Sequence, residues 1–324
     1  MNRKEKNTGR FICPSTREFF RESRASGNHS LWDFIHGYIY GRWTYLYIGV
    51  AKGRHPAARI LGPLFSLVAR HFPAPKPEAM EAASRQNGKI TFADTYHAKV
   101  MPLEQAAKLV TLNLPLNLPD LEQVIPYKRA RSIILENPDR IAVLECPCRA
   151  AEKNPCQPED VCLVIGEPFA GFIVAHHPDK ARWITQQEAL AIMAAEDERG
   201  HVHHAFFKDA MLDRFYAICN CCSCCCGAMQ AWQNGTPMLA SSGYVAQVDV
   251  DLCAACGSCA DSCPFAAISV DDGFARIDAS ACMGCGVCVA HCPQEAVSLL
   301  RDPAKGEPLE IQKLMARVAP VTER

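Results

Sequence analysis

Apolar positions change their spacing along this chain, and the changes mark its elements. Residues 31–72 are apolar and aromatic, with Trp32, Phe34, Tyr38, Tyr40, Trp43, Tyr45 and Tyr47 inside sixteen residues. Glycines at 37, 41 and 49 interrupt this stretch and predict short helices rather than one long one. Between residues 91 and 242 the runs Ile141–Leu144, Val161–Ile165, Gly171–Ala175 and Phe215–Ile218 predict buried strands. Pro102–Leu112 and Tyr127–Leu135 read as helices. Thr185-Gln-Gln-Glu188 opens Ala189–Glu198 in capping-box fashion, and Gly200 is the stop. The last segment, 301–324, reads as an amphipathic helix built on Ile311, Leu314, Met315 and Val318.

These patterns predict an α+β protein: a helical N-terminal region, a cysteine-rich α+β middle domain and a C-terminal two-part repeat. The expected boundaries are 1–90 for a basic, aromatic helical region with its linker, 91–242, 243–300, and 301–324 for the tail helix. Residues 1–30 are polar and basic and are expected to be poorly ordered. His71 to Gly88 is rich in Pro, Ala and charge and reads as a linker. Net charge is -1 overall, but residues 1–72 hold twelve Lys/Arg against four Asp/Glu, leaving -9 for the remainder. The asymmetry predicts a basic arm on an acidic body. The start, MNRKEKNTGR, lacks the apolar stretch of a signal peptide, and no window of about 18 uncharged apolar residues occurs. A cytoplasmic protein is expected, with peripheral association at the inner membrane face kept open. Nineteen cysteines in such a compartment read as metal ligands or redox thiols rather than disulfides.

Two of the cysteine runs sit 29 residues apart. They are Cys253-Ala-Ala-Cys256-Gly-Ser-Cys259-Ala-Asp-Ser-Cys263-Pro264 and Cys282-Met-Gly-Cys285-Gly-Val-Cys288-Val-Ala-His-Cys292-Pro293. Each leads into a matching strand, Ala267–Val270 and Ala296–Leu299. The repeat resembles the bacterial two-cluster ferredoxins over its whole length. That resemblance implies two 4Fe-4S clusters, one held by Cys253, Cys256, Cys259 and Cys292, the other by Cys282, Cys285, Cys288 and Cys263. Gly257, Gly284 and Gly286 would let backbone amides approach the inorganic sulfides. A pair of zinc sites suits an eight-cysteine tandem with two Cys-Pro endings poorly. Residues 243–300 also carry seven acidic groups against Arg276 alone. They suit either docking on a basic partner or simple solubility.

Ten further cysteines fall in the middle region. Cys146, Cys148, Cys156 and Cys162 are spaced C-x-C-x7-C-x5-C, and Cys219, Cys221, Cys222, Cys224, Cys225 and Cys226 lie within eight residues. Six thiols in eight residues cannot all point into one core. The favoured reading is at least one further iron–sulfur cluster, with structural zinc and a thiol/disulfide site as rivals. Cys225-Cys226-Gly227 is distantly similar to the motif of heterodisulfide-reductase-type clusters, but the flanking pattern is absent. His176, His177, His201, His203 and His204 read as capping or surface residues before metal ligands. Arg149 is either a partner for cluster charge or a surface residue.

The N-terminal aromatics suit a helical hairpin on the protein's own core, or docking on a partner or membrane surface. Nucleic acid is disfavoured, because no recognition motif is seen. The function expected is electron transfer, with a flavoprotein or another Fe–S protein as partner and the middle thiols as destination. A reductase acting at those thiols and an Fe–S sensor are the alternatives, so the chain reads more readily as a component of an oxidoreductase system than as a stand-alone enzyme. No P-loop, dinucleotide fingerprint, H-E-x-x-H or nucleophile elbow supports nucleotide-dependent or hydrolytic chemistry.

Overall fold

A computed structural model describes residues 13–25, 29–58 and 91–317. Its centre is an eight-stranded sheet in the order β2-β3-β4-β7-β6-β1-β8, with β5 also pairing with β3. The strands are β1 (Tyr96–Met101), β2 (Leu116–Leu118), β3 (Ile133–Glu145), β4 (Asp160–Glu167), β5 (Ala181–Ile184), β6 (Val202–Lys208), β7 (Arg214–Cys221) and β8 (Leu239–Ala240). The pairs run antiparallel except β1 with β8.

Alternation along β3 and β4 gives the sheet two buried faces. Ile141, Val143, Leu163 and Ile165 belong to one core, covered by α5 (Leu103–Val110), α8 (Gln186–Glu198) and α12 (Ile311–Arg317). Ala142, Leu144, Cys162 and Val164 belong to the other. That second core is closed by α1 (Pro14–Ala25), α2 (Leu31–Arg42), α3 (Thr44–Ala51) and α7 (Phe169–His176).

The N-terminal helices are therefore a roof over the sheet. Phe19 of α1 is 1% exposed and meets Phe169 and Phe172 of α7 edge to face. The expectation of disorder fails for residues 14–25, because Phe19 anchors that helix; residues 1–12 and the linker 71–88 lie outside the described residues. Gly37 and Gly41 do not break α2. A Cβ on Gly41 would come within 2.8 Å of Phe172, and one on Gly37 would strike Phe19 and the carbonyl of Ala210. These glycines let the helix lie close; the break comes at Trp43.

Two further expectations are corrected. Gly171–Ala175 is not a strand but part of α7, a helix apolar on every side because α1 and α2 cover what the sheet does not. Tyr127–Leu135 is not a helix: Ile133–Leu135 opens β3 and pairs with β2, while the Tyr127 ring stacks on His97 at 3.9 Å. The helix from Gln186 is capped as expected in one direction, with Thr185 accepting from the Glu188 N–H at 3.1 Å. Gly200 takes φ +76° after it.

The C-terminal repeat folds as two interleaved halves. β9 (Tyr244–Val248) pairs with β12 (Val297–Arg301), and β10 (Ile268–Asp271) pairs with β11 (Phe274–Ile277). The first strand of each half thus meets the last strand of the other. Short helices α10 (Ser258–Asp261) and α11 (Val287–Ala290) occupy equivalent places.

Candidate metal centres

In the repeat, each half lends one cysteine to the other. One void of about 320 Å³ is lined by Cys282, Cys285, Cys288 and Cys263, and a second of about 310 Å³ by Cys253, Cys256, Cys259 and Cys292. The backbone obeys the same 29-residue offset. Positive φ recurs at Ala255 and Gly284, at Gly257 and Gly286, and at Ala266 and Glu295. Sulfur acceptors recur too: Ala267 and Ala296 donate N–H to Cys263 and Cys292, at 3.3 and 3.2 Å. Ala246 and Ala275 donate across the halves to Cys282 and Cys253, at 3.5 and 3.4 Å. Backbone amides aimed at the sulfurs are the donors that iron–sulfur ligands characteristically accept. Two thiol-lined voids of near-equal size, ringed by N–H donors, fit two 4Fe-4S clusters.

The two voids differ in their surroundings. Cys282, Cys285 and Cys288 are all buried, whereas Cys256 is exposed and Cys253 and Cys292 half-buried. Val250 and Leu252, both more than half exposed, stand beside Cys253 with exposed Asp249 and Asp251 between and around them. The buried void faces the central sheet. Phe265, which lines it, packs edge to face on Trp232 at 5.2 Å, and Pro102 approaches Gly286.

Residues 246–293 match the family described as 4Fe-4S dicluster domain. A 32-residue stretch is 69% identical to a probable ferredoxin of Methanosarcina thermophila, covering 10% of this chain and 55% of that protein. The chain thus spans about half the length of this curated relative. Its C-terminal part is a ferredoxin-type dicluster domain within a larger protein, and iron–sulfur electron transfer is the chemistry that domain serves.

The ten middle cysteines divide into two groups. Register places Cys162 beside Cys219, and Cys219 opposite His204, on the roofed face of the sheet. Cys146 follows β3, Cys148 lies in α6 (Pro147–Ala150), and Cys226 caps α9 (Gly227–Gln233). Together with Cys221 these six border one apolar cavity beneath the N-terminal helices, and Cys222 lines its edge as well. The Sγ atoms of Cys221 and Cys226 are 3.1 Å apart. Sharing of protons splits the thiols. The Cys226 thiol, helped by His204, brings Cys221 down to about 6 against burial. Hydrogen bonds from Cys146 and Cys226, with the Gly227 N–H and Lys52, hold Cys148 well below the usual thiol range. Cys146 and Cys226 are pushed well above it by their hydrogen bonds to Cys148, by Cys162 and Cys221 respectively, and by burial.

His204 is fully buried on this face, with its ring against the Cys221 thiol, whose thiolate it favours. A buried imidazole beside closely set thiols is a donor set that fits a bound metal group. The other sequence-flagged histidines have structural roles. His176 Nε2 meets Thr16 at 2.9 Å, His177 Nε2 meets the Gly41 carbonyl at 2.7 Å, and His203 meets Asn220 at 2.7 Å. Arg149 is not a surface residue: it is 1% exposed, pairs with buried Glu196 and reaches the Asn220 carbonyl, while bordering the cavity.

The second group is a knot. Cys156, Cys222, Cys224 and Cys225 bring their Sγ atoms within 4.8 Å of one another.

Sequence reasoning missed the residues that hold these groups together. Lys52, capping α3, donates to the carbonyls of Cys148 and Cys225 at 3.1 and 2.6 Å and to Glu152 at 2.7 Å. Tyr45 donates to the Glu145 carbonyl at 2.8 Å. Tyr40 and Tyr216 join hydroxyls at 2.8 Å within the cavity wall. The aromatic N-terminal run was the only available signal, and nothing in it names these partners. Among the described residues no helix is long and apolar enough to cross a membrane.

Proposed function

We propose that this protein accepts single electrons at the exposed end of its dicluster domain and delivers them to a metal centre held by Cys146, Cys148, Cys162, Cys219, Cys221 and Cys226. The observation that carries this reading is the asymmetry of the repeat. The outer set includes the exposed Cys256 and the half-buried Cys253 and Cys292, whereas Cys282, Cys285 and Cys288 of the inner set are buried on the side of the middle domain. The proposed ligands are Cys253, Cys256, Cys259 and Cys292 outside, and Cys263, Cys282, Cys285 and Cys288 inside. When bound, the clusters supply one-electron chemistry.

The chain's residues position that chemistry. Val250, Leu252 and the surrounding aspartates form a docking face suited to a basic flavoprotein or Fe–S partner, whose association would weaken with salt. Phe265 and Trp232 fill the gap between the inner set and α9, whose first residue follows Cys226. The roof helices keep water from the cavity and hold the two cysteine segments in place through Lys52 and Tyr45.

Reduction of anaerobic protein by a flavodoxin-type donor, followed by stopped-flow absorbance and freeze-quench EPR, tests the order of events. The dicluster signal should appear first and the middle-site signal second. Loss of the second phase in the Cys253→Ser/Cys282→Ser variant is expected; a middle site reduced at full rate in that variant would overturn the reading.

A reductase is the second reading, favoured by the cavity itself. Its wall carries the Tyr40 and Tyr216 hydroxyls beside Cys219, groups suited to passing protons to a small substrate. Cyanide or azide that altered the middle-site EPR signal would support an open coordination position there.

A further inference from the structure

The knot formed by Cys156, Cys222, Cys224 and Cys225 has a geometry of its own. We propose that these four thiolates hold a single tetrahedral metal ion, separate from the iron–sulfur chemistry of the neighbouring cavity. The argument is one of size. An ion bonded to four sulfurs at about 2.3 Å spaces them about 3.8 Å apart. All four Sγ atoms here lie within 4.8 Å of one another, with Cys224 and Cys225 at 3.6 Å and Cys156 and Cys224 at 3.0 Å. A cubane joins each cysteine to a different iron and needs them spread much wider.

The loop is built to keep this shape. The Cys226 N–H donates to the Cys222 carbonyl at 3.1 Å, closing a turn that aims three sulfurs inward. Gln230 holds the Cys224 carbonyl at 2.6 Å, and Lys52 holds that of Cys225 at the same distance. Cys156 arrives from the loop between α6 and β4, so the ion would join two segments that are remote in sequence. Arg149 near Cys222 and Lys52 on the Cys225 carbonyl bring positive charge beside a site with net charge of -2 when filled by a divalent cation. Four protein sulfurs leave no open position, so the role is structural: the ion fixes the loop from which Cys221 and Cys226 turn back into the cavity.

Zinc and a lone ferrous ion share this chemistry, and zinc, which has no redox demands, is the expected occupant. The test uses the full chain, purified without oxygen. Metal and sulfide analysis, with X-ray absorption at the metal edge, should find one zinc per chain in a shell of four sulfurs at about 2.3 Å. One sulfide-free iron in the same shell would support the same site with the other ion. In Cys156→Ser/Cys224→Ser that one ion should vanish while the remaining iron and the sulfide stay at wild-type levels. Because that variant could unfold, cobalt substitution of the wild-type protein gives a second readout, an intense sulfur-to-cobalt band. No ion with a four-sulfur shell, a fall in sulfide in the variant, or a Cys156–Cys224 disulfide in anaerobic protein would each overturn the proposal. None of these outcomes depends on electron transfer, so the site stands or falls apart from the function proposed above.

Discussion

Trp232 and Phe265 meet edge to face, with ring centroids 5.2 Å apart and planes at 87°. Trp232 lies in the helix that begins just after Cys226, and Phe265 lies two residues after Cys263. Their contact is one of several between the dicluster domain and the central sheet's domain, beside those of Pro102 with Gly286 and of Gly200 with Val287. Replacing Trp232 with Leu should slow the second phase of reduction while leaving the dicluster EPR signal intact. The lost aromatic pair should lower stability by about 1 kcal/mol. An unchanged rate would remove this contact from the route.

Lys52 is the tie between roof and cysteines. Its side chain is 7% exposed, and its ammonium donates to the Cys148 and Cys225 carbonyls and to the Glu152 carboxylate. Lys52→Met leaves both carbonyls without this donor and Glu152 paired with Arg54 alone, and should lower stability by about 1–3 kcal/mol. Urea denaturation would show the loss. Iron bound by the middle domain should fall while the dicluster signal persists.

Lys99 gives the fold a pH dependence. It is buried on β1, where its ammonium donates to the Glu307 carbonyl at 2.7 Å and links the sheet to the C-terminal segment. Burial, with Arg301 nearby, depresses it from 10.5 to about 7. The folded state therefore binds fewer protons than the unfolded state between those values, so stability rises with pH across that window. The slope reaches about 1.4 kcal/mol per unit at most. Below pH 7 the contribution is flat. Denaturation curves of Lys99→Met should lack this rise.

Gly284 and Gly257 separate steric need from conformational need. Both have positive φ, +63° and +82°. A Cβ on Gly284 would strike the Tyr244 carbonyl and Ser242, whereas Gly257 faces open space. Gly284→Ala should abolish incorporation of the inner cluster. Gly257→Ala should keep both clusters at a cost of about 1–2 kcal/mol from backbone strain, read by thermal denaturation and iron analysis.

The dicluster repeat was legible because its signal is local: spacing, glycines and Cys-Pro endings lie within each half. Strands such as Val161–Ile165 and Phe215–Ile218 were legible for the same reason. The partition of the ten middle cysteines was not. Cys156 meets Cys224 across segments remote in sequence, and the turn from 221 to 226 puts Cys222, Cys224 and Cys225 in the knot while Cys221 and Cys226 line the cavity, a division that spacing does not reveal. Gly171–Ala175 misled because a segment covered on every side has no polar face to give its period. Phe19 sits in a stretch whose composition is polar and basic, and only tertiary packing makes it an anchor.

The central claim is that the dicluster domain serves a further metal centre in the middle domain. Iron and sulfide analysis of anaerobically purified protein, with EPR of the reduced state, tests it most directly. The two four-iron clusters of the dicluster domain account for eight irons. The account predicts sulfide-containing iron beyond eight in the wild type, lost from Cys146→Ser/Cys148→Ser while the dicluster signal remains. Eight irons in the intact protein, unchanged in that variant, would contradict it.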